Sequence, residues 1–170
     1  MYDTIAFAVR PDFHNQDNGL VPAWCASHDP VCSPNPGMYP DGTANYQYDS
    51  CRTPFRIGLD WCWFGEARAK AYVAKTSAFF SGLGGVQNIA DGYALDGTPK
   101  PANPGKGSAA FIGPAGVGAM SAAIYQPFLN QAYAAVATRT LLAGGTYYED
   151  AWTVMSLLMM TGNFLDYTRY

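Results

Sequence analysis

The run Thr53-Pro54-Phe55-Arg56-Ile57-Gly58-Leu59-Asp60-Trp61-Cys62-Trp63-Phe64 sets apolar side chains on almost every side of a helix. Thr53 can cap that helix, Pro54 suits a first turn where a missing N–H is harmless, and Gly65 stops it. Phe55, Leu59 and Cys62 fall on one side and Ile57, Trp61 and Phe64 on another, so the helix needs cover from several directions. An inner helix of a two-layer helical assembly meets that requirement. Glu66 to Phe80 follows, with Arg68, Lys70 and Lys75 set against Ala67, Ala71, Ala74 and Ala78, the pattern of an outer helix.

The rest of the chain repeats this alternation. Met1 to Arg10 reads as a turn or two of apolar helix, and residues 11–47 form a long loop punctuated by Pro, Gly, Asn and Asp. A loop of that length in a compact domain is usually functional, here as the wall of a cleft or as a surface loop pinned by Trp24. Residues 81–108 form a second Gly/Pro-rich connection, with a short hairpin expected at Asp96-Gly97. Gly113-Pro114 opens a small-residue helix through Ala123, and Pro127 to Leu142 reads as the next, stopped by Gly144-Gly145. Glu149 to Thr161 is the last, with Trp152, Met155, Leu158 and Met159 inward and Gly162 as its stop. No β-rich alternation competes, so the fold class expected is all-α, a stack of helical hairpins with long loops.

Composition narrows the function. With 170 residues, 49% hydrophobic and 14% charged, the chain can build one core and is not disordered. A net charge of −3 and scattered basic residues argue against a nucleic-acid partner. Ala151 to Met160, the longest apolar-rich stretch, is short of the roughly 18 residues of a membrane span, so no membrane partner is expected. Asp3 stands where a signal peptide would be basic and no small-residue cleavage site follows, so the chain is read as carrying no export signal of its own.

Cys25 and Cys32 flank a loop short enough to close as a disulfide, with free thiols as the alternative, while Cys51 and Cys62 lie in a helical region among apolar neighbours. Neither cysteine spacing is usual for zinc, and His14 and His28 form no paired motif, so no metal or other cofactor is expected. Two loop histidines also make no catalytic triad, and no phosphate-cradling loop is present.

The densest chemical signal is Tyr46-Gln47-Tyr48-Asp49-Ser50-Cys51-Arg52-Thr53-Pro54-Phe55-Arg56. A carboxylate stands just before a helix N-terminus, between tyrosines and two arginines, and the helix dipole and the arginines favour its charged form. That suits a general base and not a general acid. An Asp–Arg pair that merely locks the helix start is the alternative from the residues alone. Twelve Tyr and four Trp offer flat faces for sugar rings, and those in loops, Trp24, Tyr39, Tyr46 and Tyr48, are better placed for that than Trp61, Trp63 and Trp152. For Trp24 a structural anchor and a subsite wall stay equally open.

Tyr48-Asp49-Ser50-Cys51-Arg52-Thr53-Pro54-Phe55-Arg56-Ile57, followed by Asp60-Trp61 and Gly65-Glu66-Ala67-Arg68-Ala69-Lys70, resembles the glycoside hydrolase family 8 signature around the catalytic base. Further matches run in order: Gly19-Leu20-Val21-Pro22-Ala23-Trp24, Asp91-Gly92-Tyr93, Ala110-Phe111-Ile112-Gly113-Pro114-Ala115-Gly116, and Leu157-Leu158-Met159-Met160-Thr161-Gly162-Asn163-Phe164. The resemblance implies part of an (α/α)6 barrel around a carbohydrate cleft and cleavage of a β-1,4-linked polysaccharide with inversion. It implies Asp49 as the general base, Tyr48 and Arg52 as holders of the water and the sugar, and the ring pair Tyr147-Tyr148 as lining product-side subsites.

One departure is serious. The family's general acid is a Glu from the N-terminal half of the barrel, and nothing here resembles that half. The only two glutamates, Glu66 and Glu149, read as first-turn helix acids. About five helices can be counted, whereas twelve would need about twice this length. The expectation is therefore that residues 1–170 are the C-terminal portion of a single glycoside hydrolase catalytic domain, about half of the barrel, which as it stands lacks its acid. Its partner would be a β-1,4-linked polysaccharide or oligosaccharide, with the missing N-terminal half or self-association completing it. Because a polymer-cutting enzyme meets its polymer outside the cytoplasm, the full-length enzyme would be secreted or periplasmic. A non-catalytic carbohydrate-binding remnant and a helical interaction module are the competing readings: a catalytic Glu elsewhere separates the first from an enzyme, and oligosaccharide binding excludes the second.

Overall fold

A computed structural model describes residues 2–24, 44–100, 107–139 and 147–167. Among them, six α-helices occur in the order α1 (Tyr2–Ala8), α2 (Thr53–Phe64), α3 (Ala67–Gly82), α4 (Ala109–Ala119), α5 (Gln126–Ala137) and α6 (Tyr147–Met160). The helical expectation therefore stands. The Cys25–Cys32 pair, Tyr39 and the Gly144-Gly145 stop lie outside the described residues.

The innermost helix is α4. All of its residues are buried, and α2, α3, α5 and α6 pack around it. Its small residues let those neighbours approach closely: a Cβ on Gly113 would collide with the Ser156 side chain, and one on Gly116 would lie 2.8 Å from Ala132 Cβ and 2.9 Å from Met160 Sδ. The sequence reading takes α2 as an inner helix, and α2 is one of the helices packed directly on α4. Only Pro54, Phe55, Ile57 and Gly58 of α2 are buried, whereas Cys62 and Phe64 are exposed.

Helix α4 also begins earlier than expected. The sequence places Pro114 at its start, but Pro114 stands inside the helix. Ser108 is the N-cap, its Oγ accepting from Ala110 N at 3.2 Å. Glu149 reaches across from α6: its Oε2 accepts from Ala109 N at 2.7 Å and its Oε1 is hydrogen-bonded by Ser108 Oγ. A side chain from another element thus satisfies an N-terminal donor that local sequence does not reveal.

Two further faces differ from expectation. In α3 the buried stripe is Ala69, Tyr72, Val73, Thr76, Ser77 and Phe80, not the alanines 67, 71, 74 and 78, because large side chains decide which face turns inward. In α6 the buried residues are Trp152, Thr153, Ser156 and Met159, while Leu158 is exposed. Gly65 ends α2 with φ 67°, a left-handed conformation that only glycine adopts at little cost.

The long connections carry a small sheet that was not expected. β1 (Asn45–Tyr46) pairs antiparallel with β2 (Tyr93–Ala94), Tyr46 opposite Tyr93. A turn at Asp96-Gly97 follows β2, with Ala94 N donating to Thr98 O at 2.8 Å and Lys100 N to Gly92 O at 2.8 Å. Strands two residues long have no periodicity to read. Their pairing ties the loop before Asp49 to the connection between α3 and α4. The main core joins α2, α4, α5 and α6 beneath that sheet, and a second cluster of Ala8, Val21, Ile57, Ala69, Tyr72 and Val73 binds α1 to α2 and α3.

Candidate active site

Between β1 and α2 the chain makes a compact turn. Ser50 N and Cys51 N both donate to Gln47 O, at 2.9 and 2.8 Å, and Gln47 N donates to Ser50 Oγ at 2.8 Å. Thr53 N donates to Ser50 O at 2.9 Å and α2 begins, with Arg52 at its N-cap and Pro54 in its first turn. Thr53 is therefore the first helical residue and not the cap that the sequence suggests. The turn raises Asp49 to the surface, its side chain 38% exposed.

Arg52 holds Asp49 at two points. Its Nε donates to Asp49 O at 3.0 Å and its Nη2 to Asp49 Oδ1 at 2.5 Å. No other described group hydrogen-bonds this carboxylate. A charge-assisted fork of this kind fixes orientation as well as charge.

Tyr48 is half-buried beside Asp49. Its hydroxyl donates to Asp91 Oδ2 at 2.8 Å, and its ring meets Phe111 edge-on at 5.2 Å and Tyr148 at 5.9 Å. Tyr148, on the first turn of α6, donates its hydroxyl to Tyr48 O at 2.6 Å. Burial raises the Tyr148 phenol above its ordinary value, so the donor keeps its proton. Asp49, Arg52, Tyr48 and Tyr148 are thereby brought into one constellation.

The other named aromatics lie differently. Tyr46 is 1% exposed, its ring wrapped by Phe80, Tyr93 and Phe111 at 5.9 to 6.4 Å, so it presents no face to a ligand; the expectation of a sugar contact there is corrected to a core residue beneath Tyr48. Trp24 is 41% exposed, and the bond from Ala23 N to Asn45 O at 2.9 Å sets it beside β1. Tyr147 is 86% exposed at the start of α6.

Sequence reasoning missed Asp91. It is fully buried just before β2 in the α3–α4 connection, and the Asp-Gly-Tyr motif gives no local signal that its carboxylate supports Tyr48. Cys51 is also part of the support: it is fully buried, its Sγ donates to Tyr48 O at 3.1 Å, and burial pushes its thiol up to about 12. Both glutamates are held at helix starts. Glu66 is the N-cap of α3, lowered to about 2 by hydrogen bonds from the Arg68 side chain and backbone, and both oxygens of Glu149 accept hydrogen bonds at the start of α4. No cluster of three metal-binding side chains occurs among the described residues.

Helices layered around a wholly buried central helix, with a carboxylate, an arginine and tyrosines at one rim, define an all-α fold. The chain belongs to the glycosyl hydrolases family 8, whose profile it matches over residues 6–162. It is 32% identical over 161 residues to a beta-glucanase of Niallia circulans, covering 91% of this chain and 37% of that protein. To endoglucanase A of Acetivibrio thermocellus it is 34% identical over 152 residues, 89% of this chain and 29% of that one. The apo structure of a beta-1,3-1,4-glucanase from Paenibacillus sp. X4 superposes with a TM-score of 0.75 at 29% identity, over 98% of this chain and 43% of that chain. A reducing-end-xylose releasing exo-oligoxylanase shares the fold at 21% identity, with a TM-score of 0.69 over 96% of this chain and 40% of its own. The helices described here are thus part of the family's (α/α)6 barrel, and the chain spans about a third of the length of these relatives.

Proposed function

We propose that this chain supplies the general-base side of a hydrolase that cleaves β-1,4-linked polysaccharide, cellulose or β-glucan first, with inversion. The observation that carries the reading is the Asp49 carboxylate, partly exposed and held through Oδ1 by Arg52. In an inverting hydrolysis a water attacks the anomeric carbon from the face opposite the leaving oxygen. The base takes the water's proton while a separate acid, roughly 6.5–9.5 Å from the base, protonates the leaving oxygen. Asp49 takes the first role, and Tyr48 and Arg52 hold the water and the sugar beside it. Trp24, Tyr147 and Tyr148 supply aromatic faces along the cleft. The names of the relatives support a glucan as substrate.

The acid comes from outside these 170 residues, because both glutamates are engaged elsewhere. On this reading the chain is the C-terminal portion of one catalytic domain, and the complete enzyme works outside the cytoplasm, where its polymer is. The test is reducing-sugar release from a soluble cellulose derivative, xylan and chitosan, with Asp49→Asn alongside. Release lost on that substitution supports the base; release that survives it overturns the assignment. A folded chain that binds the glycan and releases nothing is the result expected of a site awaiting its acid.

A further inference from the structure

Tyr48 is anchored at two different atoms by residues distant in sequence. Its hydroxyl donates to Asp91 Oδ2 at 2.8 Å, and Asp91 is fully buried. Its carbonyl accepts from the Tyr148 hydroxyl at 2.6 Å and from Cys51 Sγ at 3.1 Å. That carbonyl belongs to the peptide joining Tyr48 to Asp49, and the next carbonyl along the chain, Asp49 O, is gripped by Arg52. One peptide is thus clamped from α6 and one side chain from the α3–α4 connection, and between them they leave the Asp49 backbone little freedom to turn.

We propose that Asp91 and the Tyr148 hydroxyl are positioning residues that fix the Tyr48–Asp49 peptide and so aim the Asp49 carboxylate. This rests on the reading of Asp49 as the base. Neither residue need touch substrate. A side chain's aim matters because a misplacement of about 1 Å can cost about 100-fold in rate. The assignment differs from a stacking role for Tyr148, and one atom separates the two: Tyr148→Phe keeps the ring that would stack on a sugar and removes the hydroxyl that holds the carbonyl.

The test compares Tyr148→Phe, Asp91→Ala and Asp91→Asn in the 170-residue chain, reading the Arg52 Nε–H signal by 15N–1H spectroscopy together with kcat and KM on a soluble β-1,4-glucan. Tyr148→Phe and Asp91→Ala are expected to shift that signal and speed its hydrogen exchange by about tenfold and, where the chain turns over, to lower kcat by a similar factor at unchanged KM. Asp91→Asn keeps an acceptor for Tyr48 and is expected to restore both. The Val73 and Val136 amides, in the cores, serve as folding controls and should not move. An unchanged Arg52 signal in Tyr148→Phe overturns the proposal, as does a rise in KM at constant kcat. No turnover by the wild-type chain is the result expected of a site awaiting its acid, and the Arg52 signal then decides the positioning alone; a wild-type chain that binds no glucan is the result that fails the base reading. Should Asp91→Ala not fold, Tyr148→Phe, which keeps its ring packing, still decides it.

Discussion

The Tyr148 hydroxyl of α6 donates to the main-chain carbonyl of Tyr48 at 2.6 Å, across a sequence separation of 100 residues. This bond links the last helix to the turn that presents Asp49. The site is therefore not a local feature of the Tyr48–Arg52 segment, and its geometry depends on how α6 docks against α4.

That docking rests on close approach. Gly116→Ala adds a Cβ 2.9 Å from Met160 Sδ of α6 and 2.8 Å from Ala132 Cβ of α5, and the overpacking, about 1–3 kcal/mol, outweighs the helix-propensity gain of about 1 kcal/mol. Gly82→Ala, at the end of α3, adds a Cβ with nothing within 4 Å and should stabilise by about 0.4–1 kcal/mol. Urea unfolding of the two variants should move the midpoint in opposite directions; the same sign in both contradicts the packing described for α4.

Glu149 belongs to the architecture on this account. Glu149→Ala removes an acceptor for Ala109 N and Ser108 Oγ and should cost about 1–2 kcal/mol. The loss should appear in the unfolding midpoint, with faster hydrogen exchange at Ala109 and Ala110. An unchanged midpoint accompanied by abolished glycan hydrolysis would instead make Glu149 the missing acid.

The cysteines give a pH-dependent readout. Burial raises the Cys51 thiol to about 12, above its ordinary value near 9. Because the folded value is the higher one, the contribution of Cys51 to stability is complete below pH 9 and is lost as pH rises toward 12. Mass mapping after iodoacetamide treatment at pH 8 should find the exposed Cys62 modified and Cys51 protected until urea unfolds the chain. Rapid labelling of Cys51 in the native protein would contradict the packing beneath Tyr48.

An apolar surface lies where α2 and the segment after α6 meet. Trp63 stacks on Phe164 at 5.8 Å, with Phe64 59% and Leu165 45% exposed beside them. Surfaces of this kind drive association. Light scattering on the purified chain should show self-association or poor solubility; a sharp monomer with a cooperative melt is the opposing result.

Most of the helices were legible in the sequence because their signals are local. Pro54 and Gly65 bracket α2, and Arg68, Lys70 and Lys75 against Ala67, Ala71, Ala74 and Ala78 mark α3 as a helix although not its buried face. The carboxylate–arginine pair was legible too, since Asp49 and Arg52 are three residues apart. What escaped is non-local. The start of α4 depends on Glu149 some forty residues later, and the support of Tyr48 comes from Asp91 and Tyr148, brought in only by the β1–β2 pairing and by α6. Tyr46 was misread for the related reason that a tyrosine in a loop looks exposed until Phe80, Tyr93 and Phe111 close around it.

The most direct measurement is 15N–1H chemical-shift mapping of the folded chain titrated with cellohexaose, which does not depend on turnover. Shifts centred on Tyr48, Asp49 and Arg52 and extending to Trp24 and Tyr147, weakened in Asp49→Asn, are expected. Saturable binding that leaves Tyr48, Asp49 and Arg52 unmoved, or no response to any β-1,4-linked oligosaccharide, would contradict the assignment of this turn as the glycan site.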